Sequence, residues 1–178
     1  IADCDGFYGS ARAHTQAEKS KFPLAHGTEV TLESGLRLVL LAKNRDGYGD
    51  LCELLSEAHQ KLDKDLEIRP PFSLESILEK SEHLFALVPG TQLQQGLAEI
   101  QAMKAAFGSR IFLAASFFLD GQSSLEKTDF LARQVGLPCA DPAAALRVDS
   151  RIVTASTLPT RRGPYLTTSL DSGDWTVT

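Results

Sequence analysis

Leu36-Arg37-Leu38-Val39-Leu40-Leu41-Ala42-Lys43-Asn44-Arg45-Asp46-Gly47-Tyr48 is the stretch whose reading decides the fold. Leu36 to Ala42 is an apolar run with the length of a buried strand. Arg45-Asp46-Gly47 marks a turn into a helix. There Tyr48, Leu51, Cys52, Leu55, Ala58, His59 and Leu62 recur at helical spacing on one face. A buried strand followed at once by an amphipathic helix is a β–α unit.

The unit repeats on both sides. Ile1 to Asp3 reads as the end of a strand, Gly6 to about Lys19 as a helix and Pro23 to Leu32 as a strand. A charged stretch from Lys61 to Arg69 leads into Pro70-Pro71, which interrupts any helix. Ser73 has the place of an N-cap for a short helix through Ile77 and Leu78. Leu84 to Val88 reads as a strand ended by Pro89-Gly90. Thr91 and Gln94 have capping-box spacing ahead of Leu93, Leu97, Ile100, Met103 and Phe107. Ile111 to Leu119 reads as a further strand. Ser123 and Glu126 form a second capping pair before a helix ending near Val135-Gly136. This alternation with short connections predicts an α/β fold, a mainly parallel sheet with helices outside it. Periodicity does not separate a barrel from an open doubly wound sheet. From Ser150 to Thr178 the chain is rich in Thr, Ser and Gly without a period, which predicts an extended or poorly ordered tail.

With 178 residues and 43% hydrophobic residues, the chain can build one sizeable core. No apolar run has the length of a membrane helix, and no signal peptide is visible. An opening on Ile in mid-strand suggests that sequence precedes it. A net charge of −5 argues against a surface built to neutralise phosphates, and Arg161-Arg162 is too small a basic patch to reverse that. The three cysteines, Cys4, Cys52 and Cys139, are widely spaced and odd in number; they form no disulfide framework and suit a reducing cytoplasm.

Candidate chemistry begins at Asp3-Cys4-Asp5. Two carboxylates flank a thiol at the C-terminal end of a strand, where α/β folds gather functional groups. If the strand continues, alternation sends Asp3 and Asp5 to one side, as metal ligation would need. The competing reading makes Asp5-Gly6 a turn and Asp3 a cap for the next helix. Glu29, in a strand-like run, is either paired, metal-bound or facing solvent. His14 and Glu18 are spaced to touch on a helix and read as a solvated face. His59 and His83 read as structural. Phosphate-binding loops, dinucleotide fingerprints, HExxH and GxSxG are absent from the sequence.

Asp3-Cys4-Asp5-Gly6-Phe7-Tyr8-Gly9-Ser10-Ala11-Arg12-Ala13-His14 resembles the second motif of PHP (polymerase and histidinol phosphatase) domains in bacterial C-family DNA polymerases. Gly27-Thr28-Glu29-Val30-Thr31-Leu32 resembles the next motif, which carries a glutamate ligand. The Leu36 to Tyr48 block with Leu51-Cys52-Glu53-Leu54 is the most specific match, and Leu131 to Pro138 is similar to a helix-to-strand junction near the domain's end. Arg12-Ala13-His14 and the Leu36 to Asp46 block are similar to the error-prone, damage-tolerance subclass.

The resemblance implies a distorted (β/α)7 barrel, incomplete at its N-terminus. Residues 1–142 would form the partial domain and 143–178 an atypical tail. In active family members a metal cluster supports phosphoester hydrolysis. Carried over by position, Asp3, Cys4, Asp5 and Glu29 would be the metal ligands here, with manganese or zinc as the implied metal and no other cofactor. The departures are specific. The family's His-x-His motif is not in this chain, Arg37 stands where a histidine often begins the apolar strand, and no histidine follows His83. The resemblance therefore implies a structural PHP domain with a degenerate metal site. Its partners would be the rest of the polymerase chain and, through the parent protein, DNA, with no membrane. The residues for nucleotidyl transfer would lie outside this chain. Two alternatives stand beside it: an active phosphoesterase or 3′-5′ exonuclease in which Asp3, Asp5, Glu29, His26 and Cys4 converge on a metal, and an unrelated α/β-barrel hydrolase.

Overall fold

A computed structural model describes residues 1–62, 70, 72–92, 96–114, 130, 132–140, 145–148 and 152–154. The chain order is β1 (Ala2–Cys4), α1 (Ser10–Ser20), β2 (Gly27–Thr31), β3 (Arg37–Ala42), α2 (Arg45–Gln60), α3 (Leu74–Glu79), β4 (Leu84–Pro89), α4 (Leu97–Phe107), β5 (Ile111–Ala114), β6 (Cys139–Ala140), β7 (Ala145–Val148) and β8 (Ile152–Thr154). The first six strands form one sheet in the order β1-β2-β3-β4-β5-β6, and β7 pairs with β8 in a separate two-stranded sheet.

The six-stranded sheet is mixed and, among the described residues, open. β1–β2, β4–β5 and β5–β6 are parallel, whereas β2–β3 and β3–β4 are antiparallel. Three of the five pairings are parallel, as a mainly parallel sheet requires, but β3 runs against both of its neighbours. Only residues 32–36 join β2 to β3, and a parallel crossover needs a dozen or more residues, so this connection can only be a hairpin. Gly35, with φ +88°, turns it, and the Leu36 carbonyl accepts from the Leu32 amide at 2.8 Å.

Strand alternation divides the sheet into two unlike faces. Thr28, Val30, Leu38, Leu40, Ala42, Leu84, Ala86, Val88, Ile111 and Leu113 share one face and are buried. Leu51, Leu54 and Leu55 of α2, Ile77 of α3, and Ile100, Met103 and Phe107 of α4 pack with the apolar members of that face in one core. On the other face the register lines up Cys4, Glu29, Val39, Leu87 and Phe112 in one row, beside a second row of Ala2, Gly27, Leu41 and Phe85.

The helices begin where local chemistry places them, with two corrections. Asn44 caps α2, its Oδ1 accepting from the Gly47 amide at 2.9 Å, so Arg45-Asp46-Gly47 is the first helical turn and not a turn ahead of it. Ser73 caps α3 as expected, accepting from the Ser76 amide at 3.2 Å. By contrast, α4 starts at Leu97 with Gly96 as its N-cap, and Gly90–Gln92 forms a 3₁₀ turn. Leu97, read as part of the apolar side, is exposed because it is the first residue of that helix. The charged stretch 63–69, the Ser123–Glu126 capping pair and most of the tail lie outside the described residues.

Candidate metal centre

The four sequence-derived candidates come from two adjacent strands. In the parallel register Cys4 is opposite Glu29 and Asp3 is opposite Thr28. Cys4 and Glu29 therefore face one side of the sheet, and Asp3 faces the other with Thr28. Cys4 is exposed. Glu29 is half-exposed, and its Oε1 lies 3.8 Å from Arg37 Nη1 across the hairpin. On a strand whose neighbours Thr28 and Val30 are buried, pairing with a guanidinium is one way to keep a carboxylate there.

Asp3 serves the backbone. Its Oδ2 accepts from the Gly9 amide at 2.6 Å; Gly9 is the N-cap of α1, and no side chain caps that helix, so Asp3 holds the approach to the helix and not its first turn. The strand ends at Cys4, and Asp5 takes a left-handed conformation with φ 52°, which aspartate tolerates better than most residues. That break in alternation is why Asp5 does not follow Asp3 as a continued strand would dictate. Asp5 is buried. The turn is fastened from three directions: the Asp5 amide donates to the Glu29 carbonyl at 2.9 Å, the Gly6 amide to Thr28 Oγ1 at 3.1 Å, and Thr28 Oγ1 to the Asp3 carbonyl at 3.0 Å. His59 of α2 completes it, with Nε2 2.8 Å from the Asp5 carbonyl oxygen.

This geometry holds a strand end and a helix start together, but it does not gather a ligand shell. Among the described residues, no three of His, Cys, Asp and Glu form a group able to hold a metal ion. Asp3 is engaged with an amide and Glu29 with a guanidinium, so these two carboxylates face different partners and, among the described residues, do not by themselves make the multinuclear cluster that the resemblance implies. His26, a member of the convergent alternative, lies against Tyr48 of α2, the helix packed on Thr28's side of the sheet, and so on the side away from Glu29.

His26 has a setting of its own that local sequence did not show. Its ring is buried, 5.8 Å from the ring of His14 on α1 and 5.7 Å, edge-on, from Tyr48 on α2. Tyr48 in turn stacks on Phe7 at 4.8 Å. His14 and Glu18, read as a solvated pair, are 3.6 Å apart. Nothing in the spacing could link them to His26, because the meeting depends on how α1 returns to β2.

Burial, then the charges of His14 and of the amino terminus, lowers the pKa of His26 below its ordinary value. The unfolded chain therefore takes up this proton first as pH falls through about 6.5. Stability is expected to fall as pH drops below that point and to be regained above it. Urea midpoints between pH 7.5 and 5.5 in metal-free buffer check this; a slope unchanged in His26→Gln would show that other groups cause it.

Fold and site together define an α/β domain: among the described residues, an open mixed sheet, helices packed on one face, and carboxylates on and just after its first two strands. No family model matches the chain. Among curated proteins it is similar to error-prone DNA polymerases. It is 37% identical over 131 residues to that of Anaeromyxobacter sp. (strain K), a match covering 65% of this chain and 11% of that protein. It is 34% identical over 109 residues to that of Pseudomonas fluorescens (strain Pf0-1), covering 60% and 10%. With that of Azoarcus sp. (strain BH72) it is 45% identical over 64 residues, covering 35% and 6%. These relatives bear out the resemblance to bacterial error-prone polymerases, and the chain spans about a tenth or less of their length. Among solved structures, a Bifidobacterium adolescentis protein named for metal-dependent phosphoesterase activity is similar with a TM-score of 0.48 and 13% identity, over 79% of this chain and 74% of that one. Among the described residues no helix is long and apolar enough to cross a membrane.

Proposed function

We propose that this chain is part of the PHP domain of a bacterial error-prone DNA polymerase, where it acts as a structural domain around a degenerate metal centre. The observation that carries this reading is the similarity to error-prone polymerases over 131 residues. Residues 1–142 form the partial domain and 143–178 a tail. Strands beyond the described ones would complete a distorted (β/α)7 barrel. The domain would brace the remainder of the polymerase chain, which supplies the DNA contacts and the nucleotidyl transfer of DNA synthesis past damage.

The degenerate centre is supported by how its candidate ligands are engaged. Arg37 brings a fixed positive charge to Glu29, in the neighbourhood where an active centre would place a cation. Asp3 is held by the Gly9 amide. Cys4 is a softer ligand than histidine and suits fewer metals. A hydrolytic centre must activate water and clamp phosphate oxygens, which takes a full ligand set.

Equilibrium dialysis against manganese and zinc, with elemental analysis, tests the reading alongside hydrolysis of a phosphodiester substrate. Glu29→Ala and Asp5→Ala are expected to leave the bound metal unchanged, and wild-type hydrolysis to stay at background. Stoichiometric metal that disappears in both variants, together with hydrolysis that disappears with it, would establish the active phosphoesterase instead.

A further inference from the structure

We propose that His14 and His26 form a two-imidazole site for a borderline divalent transition-metal ion, zinc or nickel, on the opposite side of the sheet from Glu29. The site does not depend on the polymerase reading. It follows from the placement of two rings brought together by α1 and the approach to β2.

The spacing fits a shared ion. A zinc–nitrogen bond of about 2.0–2.1 Å puts each ring centre about 3 Å from the metal, so two rings on one ion stand about 5 Å apart at the tetrahedral angle and about 6 Å when that angle opens widely. The His14 and His26 ring centres are 5.8 Å apart, with planes inclined by 48°. His26 is only 6% exposed, and its Nδ1 is buried with no hydrogen-bond partner among the described residues. Buried polar atoms in folded proteins are nearly always satisfied, so this orphaned imidazole nitrogen needs a partner from outside the described residues, and an ion shared with the second imidazole is one that would serve.

Glu18 supplies the third feature. Its Oε1 lies 3.6 Å from His14 Nε2. A carboxylate beside a metal-bound histidine fixes the ring and raises its basicity through the nitrogen not used for the metal. The His14 side chain is 40% exposed, which leaves the ion a path from solvent. No third His, Cys, Asp or Glu completes a set among the described residues, so water would fill the remaining positions. Nitrogen ligands and water match zinc and nickel better than manganese or magnesium.

Isothermal titration calorimetry of the full chain with nickel or zinc chloride tests the site. One saturable binding event is expected at micromolar metal. His14→Ala, a change at a half-exposed position, is expected to weaken it about tenfold or more while the circular dichroism spectrum stays that of the wild type. Glu18→Gln should weaken it by a smaller factor, and Cys4→Ser and Glu29→Ala should leave it unchanged. The absence of saturable binding, or wild-type affinity in His14→Ala, would overturn the proposal. So would a loss in Glu29→Ala or Cys4→Ser, which would move the metal to the other side of the sheet. His26→Asn provides a second arm when it folds; the decision does not depend on it.

Discussion

Phe107→Ala is expected to destabilise the domain by about 3–5 kcal/mol, the usual range for deleting a buried phenyl ring. Phe107 is the last residue of α4 and is fully buried. Ile100 and Met103 lie on the same face, and all three belong to the core that includes Leu84, Ile111 and Leu113. The helix ends there on Gly108, with φ 59°, and the chain turns through Gly108–Arg110 directly into β5. Collapse around the lost ring is therefore limited, because the backbone on its C-terminal side is fixed by the strand. A single domain is commonly stable by only about 5–15 kcal/mol, so the loss would be a large part of the total. Urea denaturation followed by circular dichroism measures it. The midpoint should fall steeply with the slope unchanged. A change below about 1 kcal/mol, the centre of the ordinary mutational range, would mean that α4 does not close the core at this point.

The second large effect is a contrast between two glycines of one helix. Gly47 is buried in the first turn of α2, and a Cβ built there would stand well inside the contact distance of the His83 carbonyl oxygen. That oxygen cannot yield freely. It accepts from the Lys43 amide at 2.9 Å, and the His83 ring holds Asp50 of α2 through Nδ1 at 3.0 Å. Gly47→Ala is expected to cost on the order of 3 kcal/mol, through displacement of α2 from the segment leading into β4. Gly49 lies in the same helix with nothing near its hypothetical Cβ. Gly49→Ala should therefore stabilise by about 0.5–1 kcal/mol, from helix propensity and the stiffer unfolded chain. Thermal unfolding of the two variants should shift the midpoint in opposite directions. Equal losses would show that the close approach at Gly47 is not maintained.

Much of the local structure was legible because it depends on neighbours in sequence. The apolar run from Leu36 gave β3, the recurrence from Tyr48 to His59 gave α2, whose end at Gln60 leaves Leu62 outside it, and Ser73 was readable as a cap. Helix and strand periods report burial directly, and caps report through one side chain and one amide. Strand direction was not legible in the same way. An apolar run satisfies a parallel or an antiparallel ladder equally well. The short link between β2 and β3 held the answer, and the general expectation of parallel β–α units concealed it.

The candidate centre divides along the same line. Carboxylates and a thiol at Asp3, Cys4, Asp5 and Glu29 could be named from sequence, but not what each one meets. Asp3 faces the helix side because the register sets it opposite Thr28. Asp5 leaves the alternation because its backbone turns left-handed. Glu29 faces Arg37 because residues 32–36 fold back on themselves. His14 and His26 were each visible, and their meeting was not.

The sequence by itself determined the strand from Leu36, the helix that follows it, the cap at Ser73, most of the residues that enter the core, and the likeness to error-prone polymerases. These follow from short-range periodicity and from residue order. Only the tertiary structure decided the strand directions, the face on which each acid or imidazole stands, and the pairing of His14 with His26. Those depend on register and on the return of one element against another, where a shift of a single residue would send every side chain to the opposite face.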